Sequence, residues 1–335
     1  MQNTGEINKI KIRTMQLILL ASIILTGVKF FAYFLTQSNA ILTDALESVV
    51  NVMAGSFALY SIYYASLPKD ESHPYGHGKI EFLSAGFEGG MITLAGAAML
   101  IKGVFAFFRK EEIHEADTGA YLSAFAGIVN YFLGTYLIKK GKKFNSALMI
   151  ADGKHLVADT ISSIGLVAGL FLIYFTKIYW IDYVITLIFG GFIIYTGIKL
   201  VAESITNLLD KADESKLKHL IEVLDKNRKP KWIDIHNLRV LKYGSHLHVD
   251  CHVTLPWYDN LEESHNEVSA VEKLVRENTE QEIELFIHAD PCLPVSCPIC
   301  ILSDCKERKS AFVKKLNWNF GNVLPDKKHS LQQTT

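Results

Sequence analysis

Ala40–Leu67 reads AILTDALESVVNVMAGSFALYSIYYASL. The run exceeds the ~20 mostly apolar residues that cross a bilayer, yet its first half carries Asp44, Glu47 and Asn51. Five more runs of similar character flank it: Met15–Thr36, Ile80–Phe108, Gly119–Ile138, Ala147–Phe175 and Ile178–Ala202. Six successive buried core helices would demand an implausibly large covering layer in a soluble protein. Met15–Thr36 is too long for a signal peptide, and no small-residue cleavage pattern follows it. The sequence therefore predicts an α-helical membrane protein with six transmembrane helices over residues 15–206, after a cytoplasmic segment 1–14.

Lys and Arg in short connections orient such a bundle. Lys9, Lys11 and Arg13, then Lys69 and Lys79, then Lys139, Lys140, Lys142 and Lys143 fall on one side; Arg109, Lys110 and Lys177 fall on the other. Both termini are expected in the cytoplasm, with short outer connections such as Gln37–Asn39. The 335 residues are 49% hydrophobic with net charge −1, which excludes a disordered chain and argues against a dedicated nucleic-acid binder. Five cysteines, four of them between Cys292 and Cys305, cannot form a disulfide framework for a chain this long.

Beyond Ala202 the composition turns charged and rich in His. Asp213–Asp225 reads as an amphipathic helix. Trp232–Leu241 and His246–Thr254 read as strands joined around Gly244, Leu261–Asn278 as a second helix and Ile283–His288 as a third strand. This order predicts a small α+β domain over residues 207–290 with helices on one face of a sheet. A Cys-containing tail, 291–335, is expected to be disordered from Asn317 onward.

Polar side chains inside spanning helices are costly and point to function. Glu47 and Asn51 stand four apart in the second helix, and His155 and Asp159 do the same in the fifth. At ~1.5 Å rise per residue, such pairs stack along one helix side. Facing each other, the pairs supply one imidazole, two carboxylates and an amide oxygen, a plausible tetrahedral set for a divalent transition metal. Asp44 and Asp152, each three residues upstream, are expected beside the site rather than in it, with Lys154 turned toward the interface.

The pattern resembles the cation diffusion facilitator family of proton-coupled divalent-metal exporters. The resemblance runs from Met15 to Asp290 and rests on Ser38–Leu46, on Pro74-Tyr75-Gly76-His77-Gly78-Lys79-Ile80-Glu81, on Leu208–Ala212 and on Ile287-His288-Ala289-Asp290-Pro291. It implies a ferredoxin-like, metallochaperone-like cytoplasmic domain and a homodimer. It implies a transport site at Glu47, Asn51, His155 and Asp159, where Glu47 and Asn51 depart from the family's usual His or Asp and Asp. It further implies an auxiliary metal site at Asp70, His73 and His77 and an interlocking charged pair, Lys79 and Asp210. A binuclear cytoplasmic site is implied at His236, His252, His265, His288 and Asp290. His246 and His248 share a strand face with His252 and are expected to be exposed, a widened site being the other reading.

The tail reads Cys292-x4-Cys297-x2-Cys300-x4-Cys305, and its inner pair has the spacing of a metal clip. Unliganded thiols in a flexible tail are the other reading. The expected function is export of zinc from the cytoplasm in exchange for protons, with zinc or a related metal as substrate and regulatory ligand and with no organic cofactor and no nucleic-acid partner. Iron, manganese, cobalt or cadmium as substrate, or a slow metal-sensing accessory role, are the alternatives. A metallohydrolase would need an HExxH-type pattern, which is missing. A bacterial inner membrane is the expected location, since no targeting segment or long His loop is seen.

Overall fold

The computed structural model describes residues 4–36, 39–109, 116–176, 180–279 and 282–331. Two compact units divide at Leu209/Asp210. The first holds six long helices: α1 (Thr4–Thr36), α2 (Asn39–Ala65), α3 (Ile80–Arg109), α4 (Ala116–Lys143), α5 (Ala147–Thr176) and α6 (Trp180–Leu208). The helix α1 begins well before Met15, so most of the expected N-terminal segment is helical. Lys110 and Lys177, and residues 37–38 of the expected outer turn, lie outside the described residues.

α1 packs on α2, α4 on α5 and α3 on α6, while α5 also meets α2 and α3. Two crossings depend on glycine. A Cβ on Gly153 would stand 2.8 Å from the Gly134 carbonyl oxygen, and one on Gly197 would stand 2.7 Å from that of Gly89. Without a hydrophobic drive between helices in lipid, such close backbone approach supplies the packing. Gly153 thereby seats α5 against α4, and the rest of its surface is left to carry His155 and Asp159 toward α2. Leu17, Leu94, Phe132 and Ile188 face outward, as a lipid-facing surface requires.

A buried polar knot closes one end of this unit. Lys11 Nζ reaches Glu81 Oε1 at 3.2 Å, and the Ser146 hydroxyl donates to Glu81 Oε2 at 2.5 Å. All three side chains are buried, so each partner offsets the desolvation of the others and ties α1, α3 and the start of α5 together.

The second unit contains α7 (Glu214–Lys226), β1 (Asp234–Tyr243), β2 (His246–Leu255), α8 (Leu261–Glu277) and β3 (Ile283–Pro291), followed by a 3-10 turn at Pro294–Ile299 and a short α9 (Phe320–Val323). Asp213 caps α7, and Asn260 with Glu263 forms a capping box on α8. The sheet order is β1-β2-β3, with β1 antiparallel and β3 parallel to β2. Gly244, at φ 62°, supplies the left-handed residue between β1 and β2. Leu247, Val249, Cys251 and Val253 of β2 point to one face, where Leu217, Leu224, Val271 and Val275 of the helices cover them. The alternate residues of β2, His246, His248, Asp250 and His252, point to the other face.

One expectation is corrected. Residues 317–331, read from composition as disordered, fold back onto the sheet. Trp318 and Val323 join its core, Asn237 N–H donates to the Pro325 carbonyl at 3.0 Å, and His329 is buried against Asp234. Apolar residues spaced widely in a polar segment carry no periodic signal, so their anchoring was not visible in the sequence.

Candidate metal sites

In the membrane unit, Asn51 of α2 bridges two residues of α5. Its Nδ2 donates to Asp159 Oδ2 at 2.8 Å, and its Oδ1 lies 3.0 Å from His155 Nε2. The i,i+4 spacing places His155 and Asp159 on one side of α5. Both ends of the amide are thus engaged. A cavity of ≈ 10 Å³ opens beside Asn51, Asp152 and His155. Asp44 and Glu47 stand on α2, but their side chains lie outside the described residues.

The sequence reading missed Glu88. It lies on α3 with no exposed surface, and its Oε2 is 3.8 Å from His155 Nδ1. Among the described residues, neither Glu88 oxygen has a hydrogen-bond donor, and Asp152 Oδ2 has none either. Carboxylate oxygens buried without donors are expensive, and a cation or a proton is what relieves them. A glutamate inside the apolar run Ile80–Phe108 was the available signal. Lys154 turns to Glu203 of α6 at 3.4 Å, away from the site.

In the loop between α2 and α3, Asp70 gathers two imidazoles: His73 Nδ1 at 3.0 Å and His77 Nε2 at 3.3 Å. Their ligand atoms all fall within 4.8 Å of one another. His77 is buried under the edge of Tyr64, and among the described residues its Nδ1 has no hydrogen-bond partner. Desolvation acts upward on the Asp70 carboxyl, but the His73 backbone and ring hydrogen bonds and the fields of His73 and His77 hold it below the ordinary range.

In the second unit, strand register does the assembling. His236, His252 and His288 are direct neighbours across β1, β2 and β3. Asp290 lies near all three: 3.2 Å from His236 Nε2, 3.5 Å from His252 Nδ1 and 3.5 Å from His288 Nδ1. The ligand atoms of His236, His252 and Asp290 fall within 4.8 Å of one another. Asp234 stands 3.4 Å from His236 Nδ1 and also receives His329 from the tail. The tail adds Lys328, whose ammonium is 3.7 Å from Asp290. The sequence showed neither Asp234, His329 nor Lys328 as part of this cluster.

His265 does not join it. It is exposed on α8, and α8 covers the sheet face opposite the histidines. His248 also departs from expectation. Its side chain is only 13% exposed, lying 2.9 Å from Asp250 and 3.5 Å from Glu284. His246 is 3.4 Å from Glu282. Lys79 and Asp210 stand on the two different units. Cys292, Cys297, Cys300 and Cys305 line one further cavity of ≈ 70 Å³.

Long apolar helices with buried, incompletely satisfied carboxylates, joined to a small sheet domain bearing His/Asp clusters, define an integral membrane transporter of metal cations. Comparison with known proteins agrees. Residues 15–209 match the cation efflux transmembrane domain, and residues 212–292 match the cytoplasmic domain of cation efflux proteins. An uncharacterised transporter of Synechocystis is 30% identical over 77% of this chain and 83% of its own length. The manganese efflux system protein MneP of Bacillus subtilis is 24% identical over 82% of this chain and 93% of its own. The cation-efflux pump FieF of Citrobacter koseri is 26% identical over 82% and 90%. The chain belongs to the cation diffusion facilitator family and is a divalent-cation efflux transporter.

Proposed function

We propose that this protein exports a divalent transition metal from the cytoplasm in exchange for protons, with zinc the leading substrate, as a homodimer with both termini cytoplasmic. The observation that carries the reading is the Asn51 amide spanning His155 and Asp159, with the Glu88 carboxylate on the far side of the imidazole. The amide N–H donates to Asp159 and the amide oxygen engages His155. An arriving dication replaces both contacts at once: the same oxygen, the imidazole nitrogen and the Asp159 carboxylate can turn their lone pairs onto it.

Metal and proton compete for the same atoms, because imidazole and carboxylate bind metal only when deprotonated. Protons arriving from the outer side would therefore expel the ion, and their release inside would ready the site again. Glu88 supplies negative charge behind His155, and Glu47 supplies the fourth ligand expected from the sequence. The loop cluster at Asp70, His73 and His77 and the sheet cluster at His236, His252, His288 and Asp290 fit resident or regulatory metal. A bacterial inner membrane is the proposed location.

A second reading, manganese as substrate, is favoured by the amide oxygen of Asn51 and by the added Glu88 carboxylate, since oxygen donors suit harder cations. The Bacillus subtilis relative is named for manganese. The deciding experiment is uptake of zinc, manganese, iron, cobalt and cadmium into proteoliposomes under an imposed pH gradient. Uptake of at least one ion that collapses with the gradient is expected. Uptake indifferent to the gradient would remove proton exchange from the reading, and the order of the ions separates zinc from manganese.

A further inference from the structure

The five cysteines fall into two kinds. Cys251 sits in the sheet core, where burial pushes its thiol up to about 12, and it packs as a small hydrophobe. The other four surround one cavity against Trp257 and Tyr258. Cys292 follows β3 directly, Cys297 and Cys300 sit at the end of the 3-10 turn Pro294–Ile299, and Cys305 comes from the loop beyond.

Each of these four sulfurs faces a donor. The backbone N–H of Trp257 faces Cys292, and that of Leu302 faces Cys300. The Lys309 N–H lies 3.4 Å from Cys297 Sγ, and the Tyr258 hydroxyl bonds to Cys305. Arg308 ties the loop together by donating to the carbonyls of Cys297 at 2.9 Å, Cys300 at 3.2 Å and Leu302 at 2.6 Å. A neutral thiol gains little from such donors. A thiolate gains much, and outer donors aimed at sulfur are what hold thiolates around a cation.

Spacing, charge and room agree with that purpose. Four thiolates around a dication carry a net charge of −2, which the Arg308 guanidinium and the surrounding N–H groups partly offset. Burial and the neighbouring thiols push the Cys292 and Cys300 thiols upward. The ring is open: among the described residues, only the two His/Asp clusters bring three ligand atoms within 4.8 Å of one another. A metal–sulfur bond of ~2.3 Å needs sulfurs ~3.8 Å apart in a tetrahedron. Binding therefore requires the four side chains to draw together around the shared cavity.

We propose that Cys292, Cys297, Cys300 and Cys305 form a tetrathiolate site for a soft divalent cation of the zinc and cadmium type, separate from the transport route. Each thiol releases its proton to solvent as the ion binds, four protons per dication, with no change of oxidation state. The site pins the chain where it leaves β3. The same chain continues to His329, which closes on Asp234 beside His236. A metal held by the cysteines thus holds the strap that reaches the histidine cluster. The matched family region ends at residue 292, where this strap begins.

The test uses the full chain in detergent, reduced, stripped with chelator and titrated with cadmium. Wild type should develop a thiolate-to-cadmium charge-transfer band that saturates at one ion per chain. At that point Cys292, Cys297, Cys300 and Cys305 should lose reactivity toward a thiol dye and regain it on chelation. C297S/C300S should lose the band and one bound ion, whereas H236A and D159A should keep the band, which separates this site from the histidine cluster and from the transport reading. No charge-transfer band, or equal dye labelling of wild type with and without cadmium, overturns the proposal. Thiols unmasked by reductant but indifferent to cadmium also overturn it and assign a disulfide pair. The labelling comparison needs no variant, so a misfolded C297S/C300S leaves the test intact.

Discussion

In the membrane unit His155 reaches its carboxylate through an amide, whereas in the cytoplasmic unit Asp290 meets three imidazoles directly. Helix geometry accounts for the first arrangement and strand register for the second. An i,i+4 pair delivers two ligands per helix, so a complete intramembrane site needs contributions from several helices. A sheet lines up one ligand per strand without further cost. The charge balance differs as well. Asn51 bonds to both its neighbours, so an ion must displace an amide to gain Asp159. Asp290 is crowded by three histidines and Lys328, so a cation bound there competes with the ammonium for the carboxylate.

The sharpest way to break this contrast is to remove a proposed ligand from the intramembrane cluster. D159A should reduce metal flux in proteoliposomes by more than the ~10–100-fold typical of outer-shell losses, while size-exclusion behaviour stays unchanged. H236A should change flux far less. Equal losses in the two variants would mean that the two clusters do not divide their work as proposed.

Glu88 offers the next largest effect. Replacing its carboxylate by an amide of the same shape, E88Q, should weaken the apparent affinity for transported metal by about 10–100-fold, read as a raised KM in the vesicle assay. It should not abolish transport, since Glu88 faces the outer nitrogen of His155 at 3.8 Å rather than the Asn51 side. An unchanged KM would assign Glu88 to helix packing alone.

Asn51 sharpens the comparison from the other side. N51D restores a negative charge between His155 and Asp159, next to a carboxylate only 2.8 Å from the present amide nitrogen. The variant should bind its cation more tightly, release it more slowly and show a shifted order of metals across the ion panel. The same order and rates before and after would mean that Asn51 does not meet the ion.

How far the sequence could be read follows from the same physics. The apolar runs announce α1–α6 because a bilayer imposes length and hydropathy on each segment separately. His155, Asp159 and Asn51 stood out for the same reason: each is polar where polarity is costly. Glu88 met that criterion equally, but it has no i,i+4 partner to mark a ligand pair. The row His236, His252 and His288 was legible only through family resemblance, since strand register is a tertiary property. His265 shows the limit of that route, for α8 carries it to the opposite side of the sheet. The strap through Trp318, Val323 and His329 left no trace, because its anchors are single residues separated by polar ones.

The smallest expected effect tests the C-terminal unit by itself. Asp213 caps α7 by accepting from the backbone N–H groups of Ser215 and Lys216, and its other oxygen lies 2.8 Å from Lys242 Nζ. Burial pushes its carboxyl upward, but the Lys242 hydrogen bond, the Ser215 hydroxyl, the Lys242 charge and the Lys216 N–H together hold it well below the ordinary carboxylate range. A lowered pKa stabilises the fold above the ordinary range, and that contribution fades as pH falls toward the depressed folded-state value. D213A should therefore cost about 1 kcal/mol at neutral pH, seen as a lower midpoint for unfolding of the C-terminal unit within the full chain. The gap between wild type and variant should narrow under acid conditions. A gap that persists undiminished below the ordinary carboxylate range would mean that α7 is held by its apolar face and not by its cap.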